Sequence, residues 1–272
     1  MSLTFTILGC GSSGGVPRVG QGWGACDPND ARNRRRRCSL LVDRTSQDPA
    51  SPSDGQTRVL VDTSPDLREQ LLDARVTSLD GVLFTHEHAD HTHGIDDLRP
   101  LTIHNRRRID VWLDAETSSV VHDRFAYCFE TPPGSEYPPI LREHRFRHGE
   151  PVTIPGSGGG VVAVPFRQFH GNIISYGFRF GDVAYSSDLH DLPPESLEFL
   201  TGLDLWIVDA LRFTPHPSHF SVTDALEWIE RLRPRRAILT NLHTDLDYAA
   251  LASQLPPGVV PAVDGLSVTI DS

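Results

Sequence analysis

The stretch Phe84-Thr85-His86-Glu87-His88-Ala89-Asp90-His91-Thr92-His93-Gly94, FTHEHADHTHG in one-letter code, continues the apolar run Val82-Leu83-Phe84 and gathers four histidines and two acids. Imidazole and carboxylate suit a borderline divalent ion such as zinc or manganese, and positions i, i+2, i+4 and i+5 converge where a strand end turns into a helix. His86, His88, Asp90 and His91 occupy those positions. His93 fits the spacing less well and reads as a supporting or surface residue. One loop does not complete a metal site, so isolated His or Asp residues are expected at other strand ends. Asp62 ends RVLVD, His170 follows AVPFRQF, Asp188 ends VAYSSD and His243 follows RAILTNL.

The framework around these positions is a series of short β-like runs closing on polar or glycine-rich turns. Thr4–Leu8, Ser39–Val42, Arg58–Val61, Gly81–Thr85, Asp110–Leu113, Val161–Pro165, Ser175–Phe180, Val183–Ser186, Leu205–Val208 and Ala237–Thr240 read as strands. Pro65–Ala74, with apolar Leu67, Leu71 and Leu72, and Val222–Leu232, with Ala225, Leu226, Ile229 and Leu232 on one face, read as helices. Helix follows strand in both halves, which predicts an α/β fold. Residues 43–57, DRTSQDPASPSDGQT, are poor in apolar side chains and read as an exposed hairpin connection. Residues 104–150 combine an arginine triplet, a helix around Thr117–Phe129 and the segment TPPGSEYPP, and read as a flap inserted into a single domain spanning residues 1–272.

Composition limits the partners. The 272 residues are 38% hydrophobic and 22% charged, an ordinary globular balance, and the net charge of −11 argues against a nucleic-acid coat or a membrane-surface binder. No apolar run approaches the roughly 18 residues that span a bilayer. The opening MSLTFTILGCGSSGG alternates like a strand and lacks a charged signal-peptide region, so a cytoplasmic location is expected. Cys10, Cys26, Cys38 and Cys128 form no CxxC pair and are expected to be reduced. All 25 basic residues are arginine, which suits phosphate recognition but reads more simply as compositional bias. The glycine loop Gly9–Gly15 is either a tight turn or a phosphate cradle, with Ser12, Ser13 and Gly14 as the candidate contacts.

THEHADH resembles the HxHxDH motif of the metallo-β-lactamase superfamily, and the order Asp62, motif, His170, Asp188, His243 is similar to that superfamily's succession of motifs over essentially the whole chain. LGCGSSGGVPR and HGNIISYGF look more like its phosphodiesterase branch, which holds ribonuclease Z and phosphoribosyl 1,2-cyclic phosphate phosphodiesterase. The resemblance implies an αββα sandwich with two divalent ions, zinc or manganese, at the sheet edges. It implies that His86, His88 and His170 hold one ion, that Asp90, His91 and His243 hold the other, that Asp188 bridges them, and that Asp62 orients the ligand loop. The implied reaction is hydrolysis of a phosphodiester by a metal-bridging hydroxide.

Two departures from the branch stand out. Relatives often carry the last histidine directly after the threonine that ends the strand, whereas here Thr240 is followed by Asn241 and the histidine comes at position 243. The cysteine cluster that holds a structural zinc in the cyclic phosphodiesterase is reduced here to Cys26, so that extra zinc is not expected. The expected substrate is a small cyclic or nucleotide-like phosphodiester. An RNA 3′-processing endonuclease is the alternative, supported by the runs Arg32–Arg37 and Arg106–Arg108 but opposed by the acidic charge and the lack of a basic, glycine-rich arm. A non-catalytic metal- or nucleotide-binding protein is a third reading, opposed by the retained ligand set. Nucleic acid is the secondary partner, no membrane partner is expected, and a homodimer is compatible. His219, in RFTPHPSHFSVTDALEWI just before the helix starting near Val222, is the candidate general acid or phosphate clamp beside Asp90, with His216 as its rival.

Overall fold

The apolar runs of the sequence become strands of two mixed sheets in a computed structural model, which describes residues 2–46 and 55–271. The chain divides into two units: Met1–Thr6, Ser39–Val162 and Ser267–Ser272 form unit 1, and Ile7–Cys38 with Ala163–Leu266 form unit 2. In chain order the elements are β1 (Ser2–Gly9), β2 (Ser39–Thr45), β3 (Gln56–Val61), α1 (Leu67–Asp73), β4 (Gly81–Leu83), α2 (Ala89–Thr92), α3 (Arg99–Asn105), β5 (Ile109–Leu113), α4 (Ala115–Phe125) and β6 (Leu141–Arg145). They continue with β7 (Val152–Ile154), β8 (Val161–His170), β9 (Ile173–Phe180), β10 (Val183–Ser186), β11 (Leu205–Asp209), α5 (Val222–Leu232), β12 (Arg236–Thr240), α6 (Tyr248–Ala252), β13 (Val259–Pro261) and β14 (Ser267–Asp271).

The first sheet runs β14-β1-β2-β3-β4-β5-β6. Its first pairs are antiparallel, Thr6 opposite Ser267 and Leu40 opposite Val61, whereas β3, β4, β5 and β6 are parallel. Parallel pairing brings the carboxyl ends of β3 and β4 side by side, with Val61 level with Leu83, so Asp62 and the histidine loop leave the sheet together. Residues 104–150 contain β5, α4 and β6, and both strands pair within this sheet. Of the segment 43–57, its first three residues lie in β2 and its last two in β3, while residues 47–54 lie outside the described residues. Helix α1 buries Leu67 and Leu71 but leaves Leu72 57% exposed, so that leucine is not on the apolar stripe.

The second sheet runs β13-β12-β11-β10-β9-β8-β7, where β7 and the first two residues of β8 belong to unit 1. Strands β8, β9 and β10 are antiparallel and β10, β11, β12 and β13 are parallel. The parallel set points the residues after Ser186, Val208 and Thr240 towards one edge, and in open α/β sheets such carboxyl ends are where ligands bind. Unit 2 has its own core, in which Phe166, Trp206, Val208, Phe220, Ala225 and Leu239 are buried together. Helix α5 packs against it through Leu226, Ile229 and Leu232, the face its periodicity predicts. Ser221 caps α5 by accepting from the Asp224 N–H while Asp224 accepts from the Ser221 N–H, a reciprocal capping box.

Candidate metal centre

In unit 1 the histidine loop is built on a buried carboxylate. Asp62, 0% exposed and at φ 64° just past β3, accepts from the Thr85 N–H at 2.8 Å, the Thr85 hydroxyl at 2.8 Å and His91 Nδ1 at 2.7 Å. Left-handed backbone is tolerated by Asp better than by most residues, and here it turns the carboxylate back over the loop. Burial pushes the Asp62 carboxyl up, against the opposing pull of His91 and the Thr85 donors. Because the Thr85 hydroxyl donates to Asp62, its lone pair accepts His86 Nδ1–H at 2.9 Å. Gly94 closes the motif where a Cβ would fall 2.0 Å from the Ser64 carbonyl oxygen, so only glycine permits this approach. His93 is exposed and its ring meets Phe125 edge-on, outside the donor set.

These anchors leave the Nε2 side of each ring to an ion. With Nδ1 protonated towards Asp62, His91 presents its Nε2 lone pair 3.4 Å from Asp90 Oδ2. Two electron-rich atoms at that distance repel unless a cation lies between them, and about 3.4 Å is the edge of a tetrahedron whose ligands sit ~2.1 Å from the ion. His86 and His88, with ring centroids 4.6 Å apart, offer ligand atoms within 4.8 Å of one another. The donor set therefore fits a divalent ion, with the remote nitrogens of His86 and His91 held as metal-binding imidazoles usually are.

Unit 2 carries strand-end donors of its own. His170 ends β8, where the Gly171-Asn172 turn starts back into β9, and its Nδ1 donates to the Ser218 carbonyl at 2.6 Å while Nε2 faces Asp188 Oδ2 at 3.6 Å. Asp188, 3% exposed, lies two residues past β10. His219 Nδ1 donates to Asp209 Oδ2 at 2.8 Å and its Nε2 lies 3.9 Å from Asp188 Oδ2. Asp209, the last residue of β11, also accepts from the Leu189 N–H at 3.2 Å; burial pushes its carboxyl up to about 7 despite the attraction of His219. Sequence reading did not single out Asp209, although the apolar run LWIV before it carries the same strand-end signal as Asp62 and Asp188. The His216 ring lies 5.1 Å from that of His219 at an interplanar angle of 53°, with Ser218 Oγ beside its Nδ1. Burial, followed by repulsion from His219, Arg212 and His243, keeps the His216 imidazole below its ordinary range.

The end of β12 differs from expectation. His243 was expected among the ligands, but its Nε2 accepts from Arg18 Nη1 at 2.6 Å and its Nδ1 faces Thr244 and Asp245. Instead, Asn241, at φ 61°, donates from Nδ2 to Asp188 Oδ1 at 3.1 Å and lies 3.2 Å from His219 Nδ1. The cause is register: Asp209 pairs with Thr240, so the residue immediately after Thr240, not the one three positions later, reaches the neighbouring strand ends. Burial, then the Arg18 charge against the partial relief of Asp245, lowers the His243 imidazole.

In the glycine loop, Ser12 is 3% exposed and its N–H donates to the Leu242 carbonyl at 3.3 Å, while Ser13 and Gly14 occupy the centre of a turn closed by Gly15 N–H to the Ser12 carbonyl at 2.7 Å. The run Arg32–Arg37 is largely consumed internally. Arg32 pairs with Asp30 and covers the Tyr248 ring, Arg35 is 2% exposed and donates to the Leu246 carbonyl, and Arg36 pairs with Asp264. All four cysteines are buried and unbridged, and Cys26 Sγ contacts the Thr244 carbonyl and Arg35. Among the described residues, no helix is long and apolar enough to cross a membrane.

Comparison with known proteins places this architecture. The model of a beta-lactamase superfamily domain matches residues 57–241. An octanoyltransferase of Porphyromonas gingivalis is 33% identical over 270 residues, 97% of this chain but 51% of that protein, so the chain spans about half the length of this curated relative. The crystal structure of a diphosphatase from the PhnP family is 34% identical, with a TM-score of 0.86 over 99% of this chain and 98% of its own. Zn²⁺-bound PqqB from Methylobacterium extorquens, 16% identical, shares the fold at a TM-score of 0.74 over 97% of this chain and 99% of its own. The two mixed sheets, the buried His/Asp donors at their strand ends and the match over residues 57–241 together make the chain a member of the metallo-β-lactamase superfamily of metal-dependent hydrolases.

Proposed function

We propose that the chain hydrolyses a small, nucleotide-like or cyclic phosphodiester. The observation that carries this reading is the His219–Asp209 pair beside Asp188: an imidazole with one nitrogen anchored on a buried carboxylate and the other turned to a metal-binding carboxylate. A phosphodiester needs such a group because its alkoxide leaving oxygen must be protonated. The 34% identical PhnP-family protein, named for diphosphatase activity, supports phosphoryl chemistry. The octanoyltransferase name describes a protein about twice as long and is not carried to this chain.

Two divalent ions would suit this reading: His86, His88 and His170 would hold one, Asp90 and His91 the other, and Asp188 would be available to either. With Asn241 rather than His243 on Asp188, the second ion would have one imidazole fewer. When bound, the ions would activate water and neutralise charge on the phosphoryl oxygens. The chain's own groups do the rest. Asp62 and Thr85 hold His86 and His91 in one tautomer, and in this reading Asp90 takes the proton of the attacking water. As the new P–O bond forms, the bond to the leaving oxygen breaks and His219 Nε2 delivers its proton there, while Asp209 keeps the ring oriented through Nδ1. Internal pairing of Arg32, Arg35 and Arg36 weakens the first arginine run as support for an RNA substrate, while Arg106–Arg108 stay exposed.

The test is hydrolysis by metal-reconstituted protein of 2′,3′-cyclic nucleotides, ribose cyclic phosphate, bis(p-nitrophenyl) phosphate and precursor RNA. Turnover of small diesters above that of RNA is expected. Failure on every diester would overturn the reading, and preference for RNA would return it to the endonuclease class.

A further inference from the structure

The arginine triplet and the proline-rich segment of unit 1 have no part in the hydrolysis described above. Helix α3 ends at Arg106, whose φ of 51° turns the chain out of the helix, with the Arg106 N–H donating to the Ile103 carbonyl and the Arg107 N–H to the Thr102 carbonyl. Basic side chains suit the negative end of a helix, but only the middle one is tied down: Arg107 Nη2 donates to the Leu79 carbonyl at 3.1 Å and to Asp80 at 3.0 Å. Among the described residues Arg106 and Arg108 have no carboxylate partner. Across from them, the segment TPPGSEYPP is held in one shape. The Ser135 N–H donates to the Pro132 carbonyl at 3.0 Å, the Tyr137 N–H to Ser135 Oγ at 3.1 Å and the Ile140 N–H to the Cys128 carbonyl at 2.9 Å, while the Thr102 hydroxyl reaches the Ile140 carbonyl at 3.2 Å. Tyr137 is thus 76% exposed on a backbone that is fixed.

Between these walls lie two adjoining cavities of about 350 and 390 Å³, and both reach Arg99 and Tyr137. Of the described residues that line them four are arginine and none is acidic, in a chain whose net charge is −11. None of the metal-centre donors lines either one. A single exposed apolar side chain means little, but Ile103, Tyr127 and Tyr137 all leave apolar surface in water around this one groove. Arg99 is fixed on Asp96 by Nε at 3.1 Å and Nη2 at 2.6 Å, and its guanidinium stands 5.7 Å from the centre of the Tyr127 ring. Burial, then Cys128 and Asp96, pushes the Tyr127 phenol up to about 12, so the ring stays neutral. Positive charge beside aromatic faces selects a ligand that is at once anionic and planar. The cavity volumes are those of small-molecule sites, and a long polyanion would also meet the negative charge of the rest of the chain.

We propose that this groove of unit 1 is a binding site for a mononucleotide, with the base against Tyr127 and Tyr137 in the first cavity and the phosphate on Arg106 and Arg108 in the second. Tyr137, common to both cavities, stands where base and phosphate are joined. Stacking is tolerant of which base is present, and the guanidinium fork matches a phosphate monoester. The claim concerns binding alone and is independent of the hydrolysis reading, since no metal donor takes part in it.

Photolabelling of the metal-loaded protein tests it, because the label reports where the ligand sits. 8-Azidoadenosine 5′-monophosphate should label residues 127–140. AMP should protect that segment at concentrations at least about tenfold below those needed of ribose 5-phosphate, which lacks the base, or of adenosine, which lacks the phosphate. Tyr137→Ala should raise the protecting concentration of AMP at least about tenfold, and Tyr137→Phe, which keeps the ring, should not. Arg106→Ala combined with Arg108→Ala should raise it as much. These exposed side chains should be replaceable with metal content and melting temperature unchanged, so a loss of labelling reads as a loss of binding. Absence of label from residues 127–140 overturns the site, and so does AMP protection that Tyr137→Ala or the paired arginine variant leaves unchanged. Protection by a single-stranded RNA at least about tenfold below AMP would make the groove an RNA site and overturn the mononucleotide assignment. A dimer that Tyr137→Ala dissociates and that shields the segment from label would overturn it in favour of a second copy of the chain.

Discussion

His219 and Asp209 are joined by one 2.8 Å hydrogen bond, and the role proposed for the first depends on the second. His219→Ala should keep its metal yet lose at least about a hundredfold in turnover of an alkoxide-leaving diester, with a smaller loss on a p-nitrophenyl ester whose leaving group needs little protonation. Asp209→Asn should show the same ranking, because an amide no longer fixes the tautomer. Comparing kcat on the two substrates checks both, and equal small losses would move the acid to His216. Asn241 is the second residue to probe. It sits at φ 61°, a conformation that Asn and His accept, and bonds Asp188 where an imidazole was expected. Asn241→His should tighten the weaker ion by at least about tenfold, the lower range of what a partner of a metal ligand is worth. Competition with a chromogenic chelator measures this, and unchanged affinity would show that the end of β12 does not face the ion.

At the scale of elements, α5 positions the loop that carries His219. Its first turn is closed by the Ser221–Asp224 capping box, and Phe220 is buried immediately beside it. Ser221→Ala should cost ~0.5–2 kcal/mol of stability, the usual worth of a cap. A scan should show the melting temperature falling by roughly 2–4 °C per kcal/mol, with kcat reduced and metal content kept; an unchanged melting temperature would show that α5 is held by its apolar face alone. The strands that pattern reading found and missed follow one rule. Every strand inside the two sheets was legible from its apolar run, whereas β14, β6, β13 and β7 were not, and these four are the sheet edges. An edge strand is covered less and tolerates sequences such as LREHR, so its hydrophobic signal is weak. The capping box and the face of α5 were legible because they are local, within one turn of chain.

For the molecule as a whole, the donor inventory predicts about two divalent ions per chain at saturating metal, the first surviving dialysis and the second exchanging with the buffer. Asp188→Ala, which removes the shared carboxylate, should lose most of both, as elemental analysis of reconstituted protein would show. Two equally tight ions in the wild type would count against the account of Asn241. Cys26 gives a complementary control. It touches Thr244 and Arg35, and burial holds its thiol above the ordinary range, so Cys26→Ser should leave metal content unchanged and lower the melting temperature only slightly. Loss of one zinc with a large drop in stability would instead identify a third metal site in this segment.

Chemistry that depends on spacing along the chain was determined by the sequence alone. The positions of His86, His88, Asp90 and His91 are fixed by one turn between β4 and α2, and strand-end Asp62, His170 and Asp188 follow from where apolar runs stop. Tertiary structure decided what spacing does not encode. Whether Asn241 or His243 reaches Asp188 depends on the pairing of Thr240 with Asp209, a contact between strands about thirty residues apart in sequence. The fates of the arginines were decided in the same way: Arg35 is buried beneath the Leu246 carbonyl, and Arg18 is directed by the missing Cβ of Gly14 to the far end of the chain at His243. A side chain's neighbours across sheets and loops are set by register and close approach, and neither is written in the order of residues until the strands have paired.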